Sequence, residues 1–157
     1  MAQTGYAIPV QQALRFFNTT TSVFTEDDAE FAPITSLFTV AQHIAHVAQT
    51  IEWFMAGGFG EQGFDLNFAE HEQTVRRVTT LAEARTWLDK AVADTDAVLQ
   101  EQTAETMLAP LPDGPVMGGE PHAAIVGAIV EHTAHHRGAL AVYARLRGKV
   151  PPMPYSD

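Results

Sequence analysis

Five of the seven histidines fall in two clusters, and their spacing would allow them to bind a metal ion. His43 and His46 are three residues apart, and His132, His135 and His136 lie together much later in the chain. Imidazole nitrogens bind divalent metals at about 2.0–2.1 Å, and a site with three protein ligands keeps one position open for catalysis. The two clusters therefore suggest a metal centre assembled from two separate segments.

Helical periodicity places part of the later cluster towards the core. At about 100° per residue, His132 and His136 lie about 40° apart inside the apolar stripe of their segment, and His135 lies at its margin. Burying two titratable rings costs free energy unless each ring has a partner. A shared ligand role for His132 and His136 is therefore favoured, and a pair of hydrogen-bonded core histidines is the alternative.

The earlier cluster leaves two choices open. Its apolar stripe consists of Val40, Ile44, Val47, Ile51 and Phe54. His43 is closer to this stripe than His46, so periodicity alone slightly favours His43 as a ligand. The isolated histidines, His71 and His122, are interpreted as surface or helix-cap residues.

Several other catalytic patterns are excluded by the sequence. A zinc protease motif needs Glu after its first His, whereas His132 is followed by Thr133, and no histidine has the Glu three residues earlier that di-iron bundles require. Neither a nucleophilic serine motif nor a glycine-rich phosphate loop is present. The chain contains no cysteine, which excludes thiolate zinc sites, iron–sulfur clusters and cysteine nucleophiles. No general base can be identified.

The histidines must be positioned by helices, because the apolar residues follow helical spacing throughout. A first helix is predicted over about residues 9–24. The second helix begins with a capping box formed by Thr39 and Gln42, and it is predicted to end at Gly57 and Gly58. His43 and His46 would then lie in its first two turns.

A short extra helix is predicted before Arg77, after a loop rich in glycine and phenylalanine. The third long helix begins with a second predicted capping box, Thr80 with Glu83. Pro110 and Pro112 are predicted to limit its end.

The fourth helix is predicted to start at Pro121 and to continue to Arg147. Gly148 suits the left-handed position that follows a helix. Because no strand-like alternation is found, the sequence predicts an all-α four-helix bundle.

Composition limits the classes of protein to consider. With 157 residues, 46% of them apolar and 18% charged, the chain is expected to form one domain over residues 1–157. Its net charge of −10 disfavours nucleic-acid partners. No apolar run is long enough for a membrane span, and the N-terminal residues lack a signal-peptide pattern, so a cytoplasmic protein is expected.

Three segments together resemble the DinB family, also described as YfiT-like metal-dependent enzymes. Residues 39–54 (TVAQHIAHVAQTIEWF) are similar to the family's second helix, in which a His followed by an aliphatic residue and Ala is the first ligand. Residues 131–138 (EHTAHHRG) resemble the last-helix motif ending in His-Arg-Gly, and residues 145–155 (RLRGKVPPMPY) resemble the end of the family's chains.

The resemblance implies an up-down-down-up four-helix bundle that forms a homodimer and holds a divalent metal at one end. Carried over by position, the ligands are His46, His132 and His136, with His43 and His135 as alternates. On the fourth helix this agrees with periodicity. On the second helix it selects His46, whereas periodicity slightly favours His43.

The resemblance further implies a metal-dependent enzyme that activates water or a low-molecular-weight thiol to attack a small-molecule substrate, as a hydrolase or a thiol S-transferase. Imidazole ligands suit Zn, Ni, Fe or Cu and do not choose among them. Arg137 could hold an anionic substrate group or could simply be solvated, and Trp53 and Tyr143 could line a pocket. The alternatives are a non-catalytic metal-binding or stress-related ligand-binding protein, and a bundle without metal.

Overall fold

The computed structural model describes residues 5–156, which form helices and no strand. In chain order the helices are α1 (Ile8–Thr21), a short 3-10 helix (Glu26–Asp28), α2 (Val40–Phe59), α3 (Phe68–Arg76), α4 (Leu81–Gln100), α5 (Ala104–Leu108) and α6 (Ala123–Leu146). The all-α prediction is confirmed. Residues 1–4 and 157 lie outside the described residues, so the ends of the predicted domain, and part of the segment considered for a signal peptide, are not described.

The long helices α1, α2, α4 and α6 form the bundle. Helix α2 packs against both α4 and α6, and α1 packs against α6 and, less extensively, against α4. The fully buried side chains between them are mainly aliphatic, as helix packing requires: Val10, Phe17, Val40, Ile44, Val47, Ile51, Leu88, Leu99, Ile125, Ile129 and Leu140. The contact between α2 and α6 positions both histidine clusters.

The start of α2 is defined by the predicted capping box. The Thr39 hydroxyl accepts a hydrogen bond from the backbone N–H of Gln42 at 3.2 Å, and the Gln42 side chain accepts one from the N–H of Thr39 at 3.0 Å. The Gln42 amide also donates to the carbonyl of Arg76 at 3.0 Å. The cap therefore starts the helix that carries His43 and His46, and it also attaches the end of α3 to it.

Replacing Thr39 by alanine is expected to lower the free energy of unfolding by about 1 kcal/mol, because the half-buried backbone N–H of Gln42 loses its hydrogen-bond acceptor. Urea denaturation monitored by circular dichroism measures the change. Thr86→Ala is the control, because the Thr86 hydroxyl bonds only to the preceding turn of α4 and alanine favours helix. Equal stability of the two variants would contradict the capping role.

Helix α2 continues through the two glycines that were predicted to end it. A Cβ on Gly57 would collide with the ring of Phe64, and a Cβ on Gly58 would lie 2.8 Å from the Ile125 side chain. The two glycines therefore permit close packing against a loop and against α6, and the helix ends at Phe59.

Three other boundaries differ from the predictions. Helix α1 ends at Thr21 and not near residue 24. Around this end the hydroxyl side chains of Thr19 and Ser22 bond to backbone carbonyls, and such bonds compete with the helix. Helix α4 ends at Gln100, before the prolines that were predicted to limit it, because α5 follows with its own cap at Thr103. At the start of α4, Thr80 accepts the predicted cap bond from the backbone N–H of Glu83, but the Glu83 side chain makes no reciprocal bond. Helix α6 begins at Ala123, just after Pro121.

The turn between α1 and α2 is fastened to the end of α6 by a buried carboxylate. Only 1% of the Asp28 side chain is exposed, and it pairs with the guanidinium of Arg147 at 2.9 Å and with the ammonium of Lys149. It also accepts a hydrogen bond from the backbone N–H of Thr25 at 2.9 Å. Arg147 lies one residue beyond α6, and Gly148 has the predicted positive φ of 73°.

Within the part of the chain that the structure describes, none of the helices is both long enough and apolar enough to cross a membrane.

Candidate metal centre

Three histidines from α2 and α6 meet where these helices pack together. Nε2 of His132 lies 3.2 Å from Nε2 of His46 and 3.1 Å from Nε2 of His136. The ligand atoms of the three residues all lie within 4.8 Å of one another. His132 and His136 are one helical turn apart on α6, whereas His46 reaches them from α2, so the group depends on the packing of the two helices.

The three nitrogens fit one metal ion. Two nitrogens bound to the same tetrahedral ion at 2.0–2.1 Å lie about 3.3–3.4 Å apart, close to both measured contacts. A single N–H on His132 Nε2 can serve only one of its two nitrogen neighbours, whereas a cation would take the lone pairs of all three rings. The three histidines are therefore positioned to bind a metal ion, and an all-imidazole donor set is compatible with Zn, Ni, Fe or Cu.

The three imidazoles are held in the neutral form that metal binding requires. Burial lowers the pKa of His136 to about 2 and that of His132 to about 4, with neighbouring histidines adding to both shifts. Burial also lowers the pKa of His46, partly opposed by the negative charge of Glu72. Near neutral pH the ligand lone pairs are therefore not blocked by protons.

His43 is buried beside this group but faces a different atom. Its Nδ1 lies 3.1 Å from Nδ1 of His136, on the edge of that ring opposite to the ligand nitrogen, and its Nε2 lies 3.2 Å from the hydroxyl of Tyr143. Burial lowers the pKa of His43 to about 4, with His46 and His135 adding to the shift. Periodicity thus correctly placed His43 in the core, but the group positioned for metal contains His46.

A cavity of about 370 Å³ opens beside the group, and His46 and His132 form part of its wall. Its other walls are largely aromatic: Phe38, Trp53, Phe54 and Phe68. The indole N–H of Trp53 donates to the carbonyl of Asp65 at 2.7 Å, which ties the loop before α3 to the cavity wall. The suggested pocket role is thus supported for Trp53, whereas Tyr143 is buried behind the site.

Helix α3 contributes to the same cavity two polar residues that sequence reasoning did not select. Glu72 lines it and accepts a hydrogen bond from Nε of Arg76 at 2.8 Å. His71 also lines it, with Nε2 3.4 Å from a carboxylate oxygen of Asp65, so the surface interpretation of His71 was incomplete. No spacing in the sequence indicates these residues, because they reach the cavity only through the docking of a short helix.

The remaining predicted residues lie outside the three-histidine group. His135 is exposed, with its ring edge-on to that of His136 at 4.9 Å. The guanidinium of Arg137 packs over the rings of Phe16 and Tyr155 and lines a separate cavity between α1 and α6, which gives no support to a role at the histidine site. His122 is the N-cap residue of α6, but its side chain makes no capping hydrogen bond; its Nδ1 lies 2.8 Å from the carbonyl oxygen of Ala109.

Comparison with known proteins identifies the family of the chain. The family model described as "DinB family" matches residues 10–157, which is nearly the whole chain. The chain belongs to the DinB family. The resemblance that was inferred from three segments is thus confirmed, and the helical bundle is that of a DinB family member. A search of curated proteins finds none that matches the chain.

Proposed function

We propose that this DinB family protein is a divalent-metal-dependent enzyme whose nucleophile is water or a low-molecular-weight thiol. The observation that carries the proposal is the position of the three convergent imidazoles, two of which form the wall of an open cavity. A bound divalent metal supplies Lewis acidity, which lowers the pKa of a water or thiol ligand and so provides a nucleophile near neutral pH. His46, His132 and His136 would hold the ion.

The two alternate histidines argue for a catalytic rather than a closed site. A non-catalytic metal site is usually completed by a fourth protein ligand. His43 directs its nitrogens to Nδ1 of His136 and to Tyr143, and His135 is exposed on the outer side of α6. Neither residue is therefore placed to complete the coordination, and the cavity side is left for a nucleophile and a substrate.

The chain's own residues would perform two further tasks in this cavity. The carboxylate of Glu72, which lies among the lining residues, would accept the proton that the nucleophile releases. The aromatic wall formed by Trp53, Phe54 and Phe68 would exclude water and hold an apolar part of the substrate. We therefore infer a small substrate with an apolar or aromatic portion beside its reacting atom.

The proposal is tested on protein purified without an affinity tag. Metal content is measured by mass spectrometry, and the metal-loaded protein is then incubated with apolar esters and amides, and separately with apolar electrophiles with and without added thiols. About one divalent ion per chain together with either hydrolysis or thiol-dependent consumption supports the proposal. Failure to bind Zn²⁺, Ni²⁺ or Fe²⁺ would refute it.

Truncation of Phe68 tests the apolar cavity. Phe68 is more than half exposed at the edge of the cavity, so Phe68→Ala leaves the core intact and removes apolar contact area. For the fluorescent probe anilinonaphthalene sulfonate we expect a Kd about fivefold higher, equivalent to about 1 kcal/mol. Leu66→Ala, two residues earlier in the loop before α3 and lining another cavity, is the matched control. Equal Kd changes in both variants would contradict binding at this cavity.

A further inference from the structure

A continuous chain of buried polar contacts leads from the backbone to the candidate metal centre. The hydroxyl of Tyr143 lies 3.0 Å from the carbonyl oxygen of Phe38, and Nε2 of His43 lies 3.2 Å from that hydroxyl. Nδ1 of His43 lies 3.1 Å from Nδ1 of His136, whose Nε2 faces the ligand group. Tyr143, His43 and His136 are each less than a tenth exposed, so water cannot easily replace these partners.

The position of every proton in this series of contacts follows from the first one, between the Phe38 carbonyl and the Tyr143 hydroxyl. A carbonyl oxygen can only accept, so the 3.0 Å contact requires Tyr143 to donate its single proton to Phe38. The phenol oxygen must then accept from Nε2–H of His43. A neutral imidazole has only one N–H, so Nδ1 of His43 is bare and must accept from Nδ1–H of His136.

We propose that His43 is a positioning residue that, together with Tyr143 and the Phe38 carbonyl, fixes His136 as its Nδ1–H tautomer and leaves Nε2 free for the metal. Metal-bound histidines commonly donate a hydrogen bond from the N–H of their second ring nitrogen to a carboxylate or a carbonyl, which sets the ring orientation. Here a neutral imidazole takes that place, so the ligand gains an acceptor without a negative charge beside the ion. The metal part of this inference rests on the proposed function, whereas the proton order does not.

The opposite proton order would block the site. If His43 donated through Nδ1, His136 would carry its proton on Nε2, where the metal should bind. Tyr143 would then have to donate to His43, and two oxygen lone pairs would face each other across 3.0 Å at Phe38. The geometry therefore selects one order.

The proton order is measured first, by long-range nitrogen–proton correlation spectra of the metal-free, isotope-labelled wild-type protein. We expect the Nε2–H tautomer for His43 and the Nδ1–H tautomer for His136. Tyr143→Phe removes the hydroxyl that sets the order of the protons, so in this variant we expect a mixture of both tautomers at His43. A His43 that is Nδ1–H in the wild type would overturn the inference, whether or not the protein binds metal.

The effect on the site is measured as Zn²⁺ affinity, by competition with a chromogenic chelator. Loss of the acceptor in His43→Leu is expected to weaken Zn²⁺ binding about 10–100-fold. His43→Asn places an amide oxygen near the position of Nδ1 and is expected to restore affinity to within about threefold of the wild type. His135→Leu is the matched control, because His135 also lies against the ring of His136 but takes no part in the series of polar contacts from Phe38 to His136.

The outcomes separate this inference from the proposed function. A wild type that binds Zn²⁺, with His43→Leu folded and equal in affinity to His135→Leu, overturns the positioning role and leaves the metal site standing. A wild type that binds no Zn²⁺ removes the proposed function and with it the metal part of this inference, and the tautomers then decide the proton order alone. If His43→Leu does not fold, the comparison of His43→Asn with the wild type and the tautomer spectra still test the proposal.

Discussion

Replacing His136 by alanine is expected to lower metal affinity at least about 100-fold, so that the purified variant contains almost no metal. The reason is that His136 supplies one of three nitrogens, and zinc sites in small proteins bind with about 10–16 kcal/mol shared among their ligands. Its ring is nine-tenths buried, so no water-exposed side chain can replace it. Mass spectrometry of the variant and the wild type, prepared identically, measures the loss.

Two comparisons make this result specific. His135→Ala removes the neighbouring exposed histidine and is expected to keep its metal. Thermal unfolding with and without added Zn²⁺ gives a second measurement, because a ligand that binds only the folded state raises its stability. The wild type should gain stability with Zn²⁺, and His136→Ala should not. Full metal content in His136→Ala would show that the ion binds elsewhere.

Asp28→Asn is expected to lower the free energy of unfolding by about 2–3 kcal/mol at pH 7. Burial alone would raise the pKa of Asp28, but Lys149, the backbone N–H of Thr25 and Arg147 outweigh it and lower the pKa from 3.8 to about 2. A shift of about two units corresponds to this free energy. Because Arg147 and Lys149 are partly exposed, they regain water when the carboxylate is lost, which limits the cost.

The same substitution has a defined pH dependence. A carboxyl whose pKa is lower in the folded than in the unfolded state stabilises the fold above its unfolded pKa. This stabilisation decreases as the pH falls through the folded pKa of Asp28, near 2. The difference between wild type and Asp28→Asn should therefore be constant down to about pH 5 and fall to about half at pH 3.

Urea denaturation at pH 7 and pH 3 measures both quantities for Asp28→Asn. Asp27→Asn, one residue earlier and exposed, is the control and is expected to change stability by less than about 0.5 kcal/mol. A difference that does not shrink at pH 3 would show that the carboxylate's charge is not what stabilises the connection between the 3-10 helix and the end of α6.

The comparison of His43 with His46 shows what periodicity can and cannot predict. Periodicity correctly identified His43 as the more buried of the two, because a helix turns its apolar stripe towards the core. His46 has intermediate exposure and forms part of the cavity wall, where it meets His132 and His136. The family resemblance selected His46 because it compares positions rather than burial.

Local sequence features predicted the parts of the fold that depend on neighbouring residues. The caps at Thr39 and Thr80 and the positive φ of Gly148 were predictable, because each is set within a few residues. The prediction that Gly57 and Gly58 end α2 was wrong, because both positions depend on tertiary packing: Gly57 packs against Phe64 of the following loop and Gly58 against Ile125 of α6.

By itself the sequence determined an all-α bundle, the common face of His132 and His136 one turn apart on a helix, and the absence of cysteine chemistry. Only the tertiary structure decided that His46 meets them, that α3 brings Glu72 to the same cavity, and that His43 faces the far edge of His136. Helical periodicity sets which way a side chain points from its own axis. The rotation of α2 against α6, which decides which nitrogens meet, is set by the packing of the whole core.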